Sequence, residues 1–283
     1  MDPCLDCRGE VSATMRLAVS EMIDEGLVRS CVYTEQTGST NSDALQSLQT
    51  DAAAPSHLPR LYLTDRQTSG RGRQGNQWHS SNDSLTFSLL CDFDLQSPNA
   101  ALVSIATGIG VAQGIEHCCS PLRVMLKWPN DICAIETDRK GQIRQLRKLG
   151  GILIETSASA ANRLVIGIGI NVDRAPEQLA DSQSPALALA DIAQRSVGRE
   201  ELLNAITASV LESISDLQIP ERLMGQYRSR CVLTGRAISL RQNDQLVEGV
   251  CRGISDEGSL LLECNGQTLE LRSGQVQRVR FSG

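Results

Sequence analysis

A short segment rich in glycine and arginine carries the clearest chemical signal in this 283-residue sequence. It reads QTSGRGRQG over residues 67–75 and is followed by Trp78. Its glycines let the backbone approach a ligand closely, and the N–H groups of such a loop can surround an anion. Arg71 and Arg73 add planar, permanently charged groups suited to phosphate or carboxylate. The segment predicts an anion-binding loop; a flexible surface loop with solvated arginines is the alternative.

A second segment, KWPND at residues 127–131, places polar groups where a strand must stop. Pro129 has no backbone donor and favours an extended Trp128, so the strand ends there. Asn130 and Asp131 then fall at the mouth of the strand. A carboxylate in such a position can contact Mg²⁺ or take up a proton, whereas an ordinary strand-to-turn junction is the plainer interpretation.

Two further segments combine glycines with buried strands. KLGGILIE at residues 148–155 brings Lys148, a compact point charge, to a glycine pair that begins a strand. VIGIGINV at residues 165–172 has glycines at alternate positions, which leaves one strand face bare, as where a flat ligand or another backbone lies. An ordinary hairpin end and tight sheet packing are the respective alternatives.

The elements that would hold these segments alternate between helix and strand. Residues 11–29 predict a helix ending near Gly26, and residues 39–41 (STN) predict the N-cap of a short helix. Strand signals occur at 61–63, 85–91, 123–128, 150–156 and 163–172, and helical signals at 100–115, 185–195, 199–217 and 220–230. Residues 236–281 alternate apolar and polar side chains and contain an Asn265-Gly266 hairpin signal, which predicts a small barrel of about five strands.

Composition limits the classes of function. The formal net charge is −6, so the chain as a whole does not attract DNA or an anionic membrane. No run of about 20 apolar residues and no secretion signal occur, so we expect a cytoplasmic protein that does not span a membrane. The ten cysteines are expected to be reduced, and Cys4 and Cys7 lack a second ligand pair nearby, so we expect no metal site there; the role of this pair stays open.

Taken in order, these segments resemble the biotin–protein ligase family: STN, QxxGRGRxG with a following Trp, KWPND, KLxGILxE and GxGxN anchor residues 39–172. The resemblance implies an α+β fold with a catalytic domain like that of class II aminoacyl-tRNA synthetases, a mixed or antiparallel sheet flanked by helices. It also implies a small C-terminal SH3-like β-barrel. We therefore expect a helical lead-in over 1–30, the catalytic domain over 31–232 and the barrel over 233–283.

The resemblance also implies roles for individual residues. Arg73, Lys148 and Asp131 are the expected catalytic residues. The expected biotin-binding residues are Ser39, Thr40, Asn41, Gln67, Arg71, Gly72, Arg73 and Lys148. The expected ATP-binding residues are Arg71, Trp78, Lys127, Asn130, Asp131 and Asn171. No protein-bound metal is expected, although Mg²⁺ would serve the phosphates of ATP.

The implied reaction joins two anions. The biotin carboxylate would attack the α-phosphate of ATP to give biotinyl-5′-AMP, and the biotinyl group would pass to a lysine of a biotin carboxyl carrier domain. Arg71, Arg73 and Lys148 can offset the repulsion between the carboxylate and the phosphate. We expect biotin, ATP and the carrier protein as partners, no DNA, and a monomer or homodimer.

Two departures from the family pattern leave assignments open. Segment 134–147 is longer than expected, and Lys140 within it competes with Lys148 for the position of the family lysine. Near the C-terminus a family pattern, EVSLR, is replaced by QVQRVR, so Arg278 and Arg280 both remain candidates for the nucleotide.

Three other classes of function stay open from sequence alone. A lipoate or octanoate ligase shares the fold but favours a different glycine-rich motif. A DNA-binding repressor needs a basic winged helix of roughly 60 residues, whereas about 30 residues, several of them acidic, precede the core. A carrier or scaffold protein without catalysis would not explain the clustered arginines and lysines.

Overall fold

The computed structural model describes residues 4–49, 54–176, 185–243 and 245–281. These residues form two sheets with helices packed mainly against the larger one. The predicted α+β class, with a mixed sheet and a separate small antiparallel sheet at the C-terminus, is confirmed. In the described ranges, no helix is both long and apolar enough to cross a membrane.

The larger sheet has eight strands in the order β1-β2-β3-β4-β8-β7-β6-β5. Only the β1–β2 and β2–β3 pairs are parallel; the other pairs are antiparallel. Its strands are β1 (Leu5–Arg8), β2 (Ser30–Thr37), β3 (Arg60–Gln67), β4 (Ser84–Asp92), β5 (Met125–Lys127), β6 (Asp131–Thr137), β7 (Ile143–Ser157) and β8 (Ala160–Asn171).

The helices are α1 (Ala13–Asp24), α2 (Thr40–Ser47), α3 (Val103–Cys118), α4 (Leu189–Ala193), α5 (Arg199–Ser215) and α6 (Pro220–Arg230). Helices α3 and α5 approach closely because Gly110 and Gly114 have no Cβ. A Cβ there would lie 2.5 Å from Val210 Cα and 2.6 Å from Ile206 Cα. This packing buries one face of the sheet in aliphatic side chains, with the few aromatic residues that the composition allows.

Strand β4 shows how the two faces of the sheet divide. Leu85, Phe87 and Leu89 enter the main core, whereas Thr86 and Ser88 project to the opposite face. Helix α2 packs on that opposite face, against β3, β4 and β8. The sheet therefore has one apolar face and one face available for polar chemistry.

The N-terminal segment contains more than the predicted helix. Strand β1 pairs in parallel with β2 and becomes the edge of the main sheet, and α1 contacts α5. The sequence did not predict this strand, because four residues are too few to show alternation. The segment assigned to a lead-in thus contributes a strand to the sheet of the catalytic domain.

Residues 136–148, which lie between the predicted strands at 123–128 and 150–156, are themselves mostly strand. Strands β6 and β7 form a long hairpin whose turn is closed by Asp138, which accepts hydrogen bonds from the backbone of Lys140 and Gln142 at 2.9 Å. Arg144 also pairs with Asp138, at 2.6 Å. Alternating charged residues on an exposed ribbon hide the strand pattern that buried strands display.

The C-terminal sheet has five antiparallel strands in the order β12-β11-β10-β9-β13, as the sequence predicted. They are β9 (Ala237–Gln242), β10 (Gln245–Ile254), β11 (Leu260–Cys264), β12 (Gln267–Leu271) and β13 (Gln275–Val279). Asn265 and Gly266, with φ of 51° and 78°, form the two-residue turn between β11 and β12. None of the ten cysteines, all of which lie within the described ranges, forms a disulfide, and seven of them are buried.

The small sheet is fixed against the larger body by a few polar contacts. Trp128 Nε1 donates to the Gly258 carbonyl at 3.1 Å, and Arg228 donates to the Ile254 carbonyl at 2.9 Å and pairs with Asp256 at 2.7 Å. Through Trp128, the KWPND segment therefore contacts both sheets.

Candidate active site

One cavity on the polar face of the main sheet collects nearly all the residues that the sequence singled out. Its floor is β7 and β8, the segment 67–78 covers one side, and KWPND forms the other. The predicted residues that line it are Ser39, Thr40, Asn41, Gln67, Arg71, Gly72, Arg73, Trp78, Lys127, Asn130, Asp131 and Lys148. Residues as distant in sequence as Ser39 and Lys148 thus meet at a single site.

One end of the cavity is neutral and hydrogen-bonding. Ser39 occupies the N-cap position of α2 with an extended backbone but makes no cap hydrogen bond with its side chain, so the predicted cap is right in position only. The first turn of α2 carries Thr40 and Asn41, both 3% exposed. Gln67 Oε1 accepts from the Thr40 backbone N–H at 2.8 Å, which leaves the Gln67 Nε2 group as a donor.

Ser88, which the sequence analysis missed, fixes the direction of this hydrogen-bond network. Its Oγ lies 2.6 Å from Asn41 Oδ1 and 2.7 Å from Thr40 Oγ1. Because Oδ1 only accepts, Ser88 gives its one proton to Asn41, and the Thr40 hydroxyl, which also lies 3.2 Å from Gln67 Oε1, donates its own proton to Gln67 or to Ser88. Thr40 then presents acceptor lone pairs. The alternation of Thr86 and Ser88 with the apolar residues of β4 was the available signal.

Asn41 continues the network to Glu155. Its Nδ2 donates to Glu155 Oε2 at 2.8 Å and to the Leu153 carbonyl at 3.2 Å. The same Oε2 accepts from Arg71 at 2.9 Å, so a single oxygen joins the segment 67–78 to the base of the neutral end. Glu155 is the last residue of the KLGGILIE segment, and the sequence predicted no role for it.

The alternating glycines of β8 accommodate this chain's own side chains. A Cβ at Gly167 would overlap the Asn41 amide, and a Cβ at Gly169 would overlap the indole of Trp78. The bare strand face that the sequence assigned to a flat ligand or another backbone is therefore partly covered by Trp78, whose Nε1 lies 3.4 Å from Thr86 Oγ1.

The other end of the cavity is charged. Lys148 Nζ lies 2.5 Å from Asp131 Oδ1, and Lys127 Nζ lies 3.5 Å from Asp131 Oδ2. Burial alone would raise the pKa of Asp131, but the two ammonium groups outweigh it and hold that pKa below its ordinary value. Burial alone would likewise lower the pKa of Lys148, and Asp131 reverses this and raises it. Both groups are charged at neutral pH.

A β-bulge aims Lys148 into the cavity. Ile132 pairs with Gly150 and Cys133 pairs with Lys148, so Leu149 is the extra residue on β7. The Lys148 backbone is also bound on its other side, because its N–H donates to Pro185 and its carbonyl accepts from Leu187, both at 2.9 Å. Lys140 lies at the exposed hairpin turn and does not line the cavity.

The two arginines of segment 67–78 face different partners. Arg73 lines the charged end; burial lowers its pKa, and the charge of Asp131 opposes that effect, so the guanidinium keeps its charge. Arg71 is turned toward Glu155 instead. The pair that the sequence treated as equivalent is therefore divided between the charged and the neutral ends.

Asn171 does not line this cavity with the other predicted residues. It lies in the adjoining cleft with His79, Ser81, Asp83 and Arg174. Its Nδ2 lies 3.4 Å from the carbonyls of Lys148 and Leu187, so it supports the backbone beneath Lys148. Its buried Oδ1 has no hydrogen-bond partner among the described residues.

The C-terminal sheet contributes backbone and Gln275 rather than an arginine. Gly274, Gln275 and Val276 line the cavity at the start of β13. Arg280 pairs with Glu248 at 3.6 Å, and Arg278 is exposed away from the lining.

Asp131 is the one acidic side chain among the described residues that line the cavity. No group of three or more His, Cys, Asp or Glu residues suited to a metal ion occurs within the described ranges.

Comparison with known proteins matches both bodies of the fold. The model of the biotin/lipoate A/B protein ligase family matches residues 33–171, and that of the biotin protein ligase C-terminal domain matches residues 234–279. The chain is 31% identical over 258 residues to the biotin–[acetyl-CoA-carboxylase] ligase of Mycobacterium tuberculosis, covering 87% of each chain. This chain belongs to the biotin/lipoate A/B protein ligase family. The resemblance drawn from the motifs is confirmed.

Other relatives extend the same pattern. The bifunctional ligase/repressor BirA of Bacillus subtilis is 28% identical over 247 residues, which cover 83% of this chain and 72% of that protein. The biotin protein ligase of Aquifex aeolicus, solved in complex with biotin and ATP, superposes with a TM-score of 0.71 at 24% identity, over 89% of this chain and 99% of that one. At that identity the superposition shows a shared fold.

Proposed function

We propose that this protein is a biotin–protein ligase, which forms biotinyl-5′-AMP from biotin and ATP and transfers the biotinyl group to a lysine of a carboxylase carrier domain. The carrying observation is the division of one cavity into a neutral end, built on Thr40 and Gln67, and a cationic end, built on Lys148 and Arg73. Biotin has the same division, with a cyclic urea at one end and a carboxylate at the other.

The neutral end fits a cyclic urea. A urea offers a carbonyl acceptor and two N–H donors, and the cavity offers the Gln67 Nε2 donor and the Thr40 Oγ1 lone pairs. Ser39, buried and lining the same end, adds a hydroxyl that serves either role. The fit favours biotin over lipoate, whose dithiolane ring has no N–H or C=O group and would leave these buried polar groups unpaired.

The cationic end supplies electrostatic stabilisation rather than a covalent nucleophile. When the biotin carboxylate attacks the α-phosphate, negative charge concentrates between the reactants as pyrophosphate leaves. Arg73 and Lys148 line the same end of the cavity and can contact those oxygens, and fixed charges placed there stabilise such a transition state strongly. Asp131 holds the Lys148 ammonium in place and keeps it protonated.

Asp131 is poorly suited to be the base of the second step. Its lowered pKa makes it a weak proton acceptor. In the transfer, the neutral amine of the carrier lysine attacks the biotinyl carbonyl, the amide bond forms, and the bond between that carbonyl carbon and the phosphate oxygen breaks. The departing AMP phosphate, or water, takes the amine proton. Asp131 thus acts by orienting Lys148.

MgATP is the proposed nucleotide substrate. Mg²⁺ prefers a few carboxylate ligands together with substrate phosphates. Asp131 is the one acidic residue in the described lining, and it already pairs with two lysines. The lining therefore fits a Mg²⁺ ion that is held mainly by the phosphates of ATP. Trp78 and Asn130 line the side of the cavity assigned to the nucleotide. In the next cleft, the unpartnered Asn171 Oδ1 can accept from the adenine amino group.

Transfer of radiolabelled biotin to a purified carrier domain tests the function. Label on the carrier that requires both biotin and ATP, and that is lost when the acceptor lysine is replaced, is the expected result. Labelling by lipoate in place of biotin would move the assignment to the lipoate ligases. Adenylate formation without carrier labelling would contradict the ligase activity.

The net charge of −6 gives no overall attraction to DNA, and ten cysteines without a disulfide suit a reducing compartment, so we infer a cytoplasmic ligase that does not bind DNA. A gel-shift assay with DNA from the operon of a biotin-synthesis gene, with and without biotin and ATP, checks this: a specific shift would overturn it.

A further inference from the structure

Glu155 occupies the junction between the segment that covers the cavity and the neutral end beneath it. Its Oε2 accepts from Asn41 Nδ2 at 2.8 Å and from Arg71 at 2.9 Å. Asn41 is 3% exposed, whereas the Arg71 side chain is 45% exposed. One oxygen atom therefore joins a buried group to a surface group.

Residues 71–77 behave as one unit above the sheet. Arg71 forms a β-bridge with Gln77, and the backbone N–H of Gly72 donates to Asn76 at 2.7 Å. The Asn76 side chain also donates back to the Arg73 carbonyl at 2.8 Å. Among the described residues, the Arg71–Glu155 contact is the one side-chain hydrogen bond between this unit and the rest of the protein.

On the buried side, Glu155 fixes which atoms donate and which accept. A carboxylate only accepts, so Asn41 must turn its Nδ2 toward Glu155 and its Oδ1 toward Ser88. This orientation makes Ser88 donate to Asn41 and leaves the Thr40 oxygen as an acceptor in the cavity. The Glu155 carboxylate, together with the Leu153 carbonyl that accepts from the same Nδ2 at 3.2 Å, thus fixes the pattern that the neutral end presents to a ligand.

We propose that Glu155 is a positioning residue that couples closure of segment 71–77 to recognition of the ring end of the substrate. This inference rests on the proposed function, since the ring is that of biotin. When Arg71 holds Glu155, the oxygen stays aimed at Asn41 and the acceptor on Thr40 is maintained. When the unit lifts, Glu155 loses its cation and holds Asn41 less firmly. Ring binding and closure therefore reinforce each other.

Limited digestion with trypsin measures closure of segment 71–77 directly, without any ligand. It cleaves after Arg71 and Arg73 in the unit, and after Arg139 and Lys140 in the exposed β6–β7 turn, which serves as an internal reference. Glu155→Gln should raise cleavage in the unit about two- to fivefold relative to the reference turn, since a partly exposed ion pair contributes modestly. Glu136→Gln is the matched control, because Glu136 also pairs with an arginine, Arg147 at 3.6 Å, but on the hairpin.

The affinity for biotin measures the second part of the coupling, which is recognition of the ring end. Glu155→Gln should weaken biotin affinity by about ten- to a hundredfold, as expected for a lost buried hydrogen bond to a charged group, and should raise the KM for biotin more than that for ATP. Arg71→Gln, on the surface and still cleavable at Arg73, should loosen the unit and weaken biotin binding by a smaller factor. The Arg71→Gln variant still tests the proposal if Glu155→Gln does not fold.

The outcomes separate the two proposals. Wild-type protein that binds no biotin would overturn the proposed function, whatever trypsin shows. Equal trypsin cleavage in wild type, Glu155→Gln and Arg71→Gln would overturn the tether. Faster cleavage with unchanged biotin affinity would overturn the coupling, because Glu155 would then hold the segment without affecting the ring end.

Discussion

The Lys148 ammonium lies 2.5 Å from the Asp131 carboxylate, although the two residues sit on different strands. The bulge at Leu149 brings them together, and Lys127 approaches the same carboxylate at 3.5 Å. Two cations around one buried anion leave a net positive charge at the point where a carboxylate and a phosphate would meet.

Replacing Lys148 should reduce adenylate formation far more than replacing Lys140. Removing one charged group that stabilises a transition state commonly slows the reaction about a hundred- to a thousandfold. Single-turnover formation of biotinyl-5′-AMP by Lys148→Ala should fall in that range, and Lys148→Arg should also be impaired, because a guanidinium places its charge differently. Lys140→Ala, altered at the exposed hairpin turn, should match wild type. An inactive Lys140→Ala beside a normal Lys148→Ala would refute the assignment.

Replacing Asp131 should change the response of the reaction to pH. Asp131 raises the pKa of Lys148, so the ammonium is fully present at neutral pH and is lost only as the pH rises through that raised value. Asp131→Asn removes this support and leaves burial to lower the pKa of Lys148. The alkaline limb of kcat/KM for adenylation should move to lower pH.

The ion pairs of Asp131 also predict how the stability of the protein changes at acid pH. The pKa of Asp131 is lowered, so the stability contributed by its ion pairs is present above its ordinary pKa and disappears as the pH falls through the lowered value. Asp138→Asn is the control, since Asp138 also has a lowered pKa, caused first by the hydrogen bond from the Gln142 backbone, but lies on the hairpin. If the alkaline limb of kcat/KM lies at the same pH in Asp131→Asn as in wild type, Asp131 does not raise the pKa of Lys148.

Adding a methyl group at Gly169 should disturb the cavity through Trp78. A Cβ there overlaps the indole, so Gly169→Ala must push the ring toward the ligand or strain the strand, at about 1–3 kcal/mol. We expect a higher KM for ATP and a blue or red shift in tryptophan fluorescence. Gly225→Ala is the control, because no atom lies within 4 Å of its Cβ position in α6. Identical KM values for the two variants would argue against a role for the Trp78 contact.

Replacing Arg73 with glycine should let the adenylate escape while its synthesis continues in part. Arg73 is the guanidinium of the covering segment that lines the charged end, and glycine also loosens the backbone. Biotin labelling of bystander lysines measures the escape. Arg139→Gly, in the exposed hairpin turn, should not increase it. Bystander labelling at the wild-type level in Arg73→Gly, with normal transfer to the carrier, would contradict a clamp.

The sequence predicted most of the site because glycine, proline and charged residues act locally. The glycines of segment 67–75 and the stop at Pro129 signal ligand approach and a strand end without knowledge of their partners. Ser88 and the division of labour between Arg71 and Arg73 were missed, because they depend on which strands pair and which face a residue occupies. The position of Asn171 in the next cleft, where its side chain also supports the backbone of Lys148, could not be predicted for the same reason.

The prediction of helices and strands was limited in the same way, because only local patterns can be recognised in a sequence. The long helix α3 and the Asn265-Gly266 hairpin follow patterns that are strong over short distances. Strands β1, β2 and β6 were missed. Strand β1 has only four residues, and β2 and β6 pass from buried to exposed residues partway along, so none displays a full alternation of apolar residues. The bulge at Leu149, which aims Lys148, is a property of paired strands and has no signature in a single segment.

Pyrophosphate release measured with each acid in turn tests the central claim most directly. Wild-type protein with MgATP and biotin should release pyrophosphate in step with biotinyl-5′-AMP. The same protein with lipoate should release little, because the Thr40 and Gln67 groups would stay unpaired. Pyrophosphate release with lipoate and none with biotin would contradict the account.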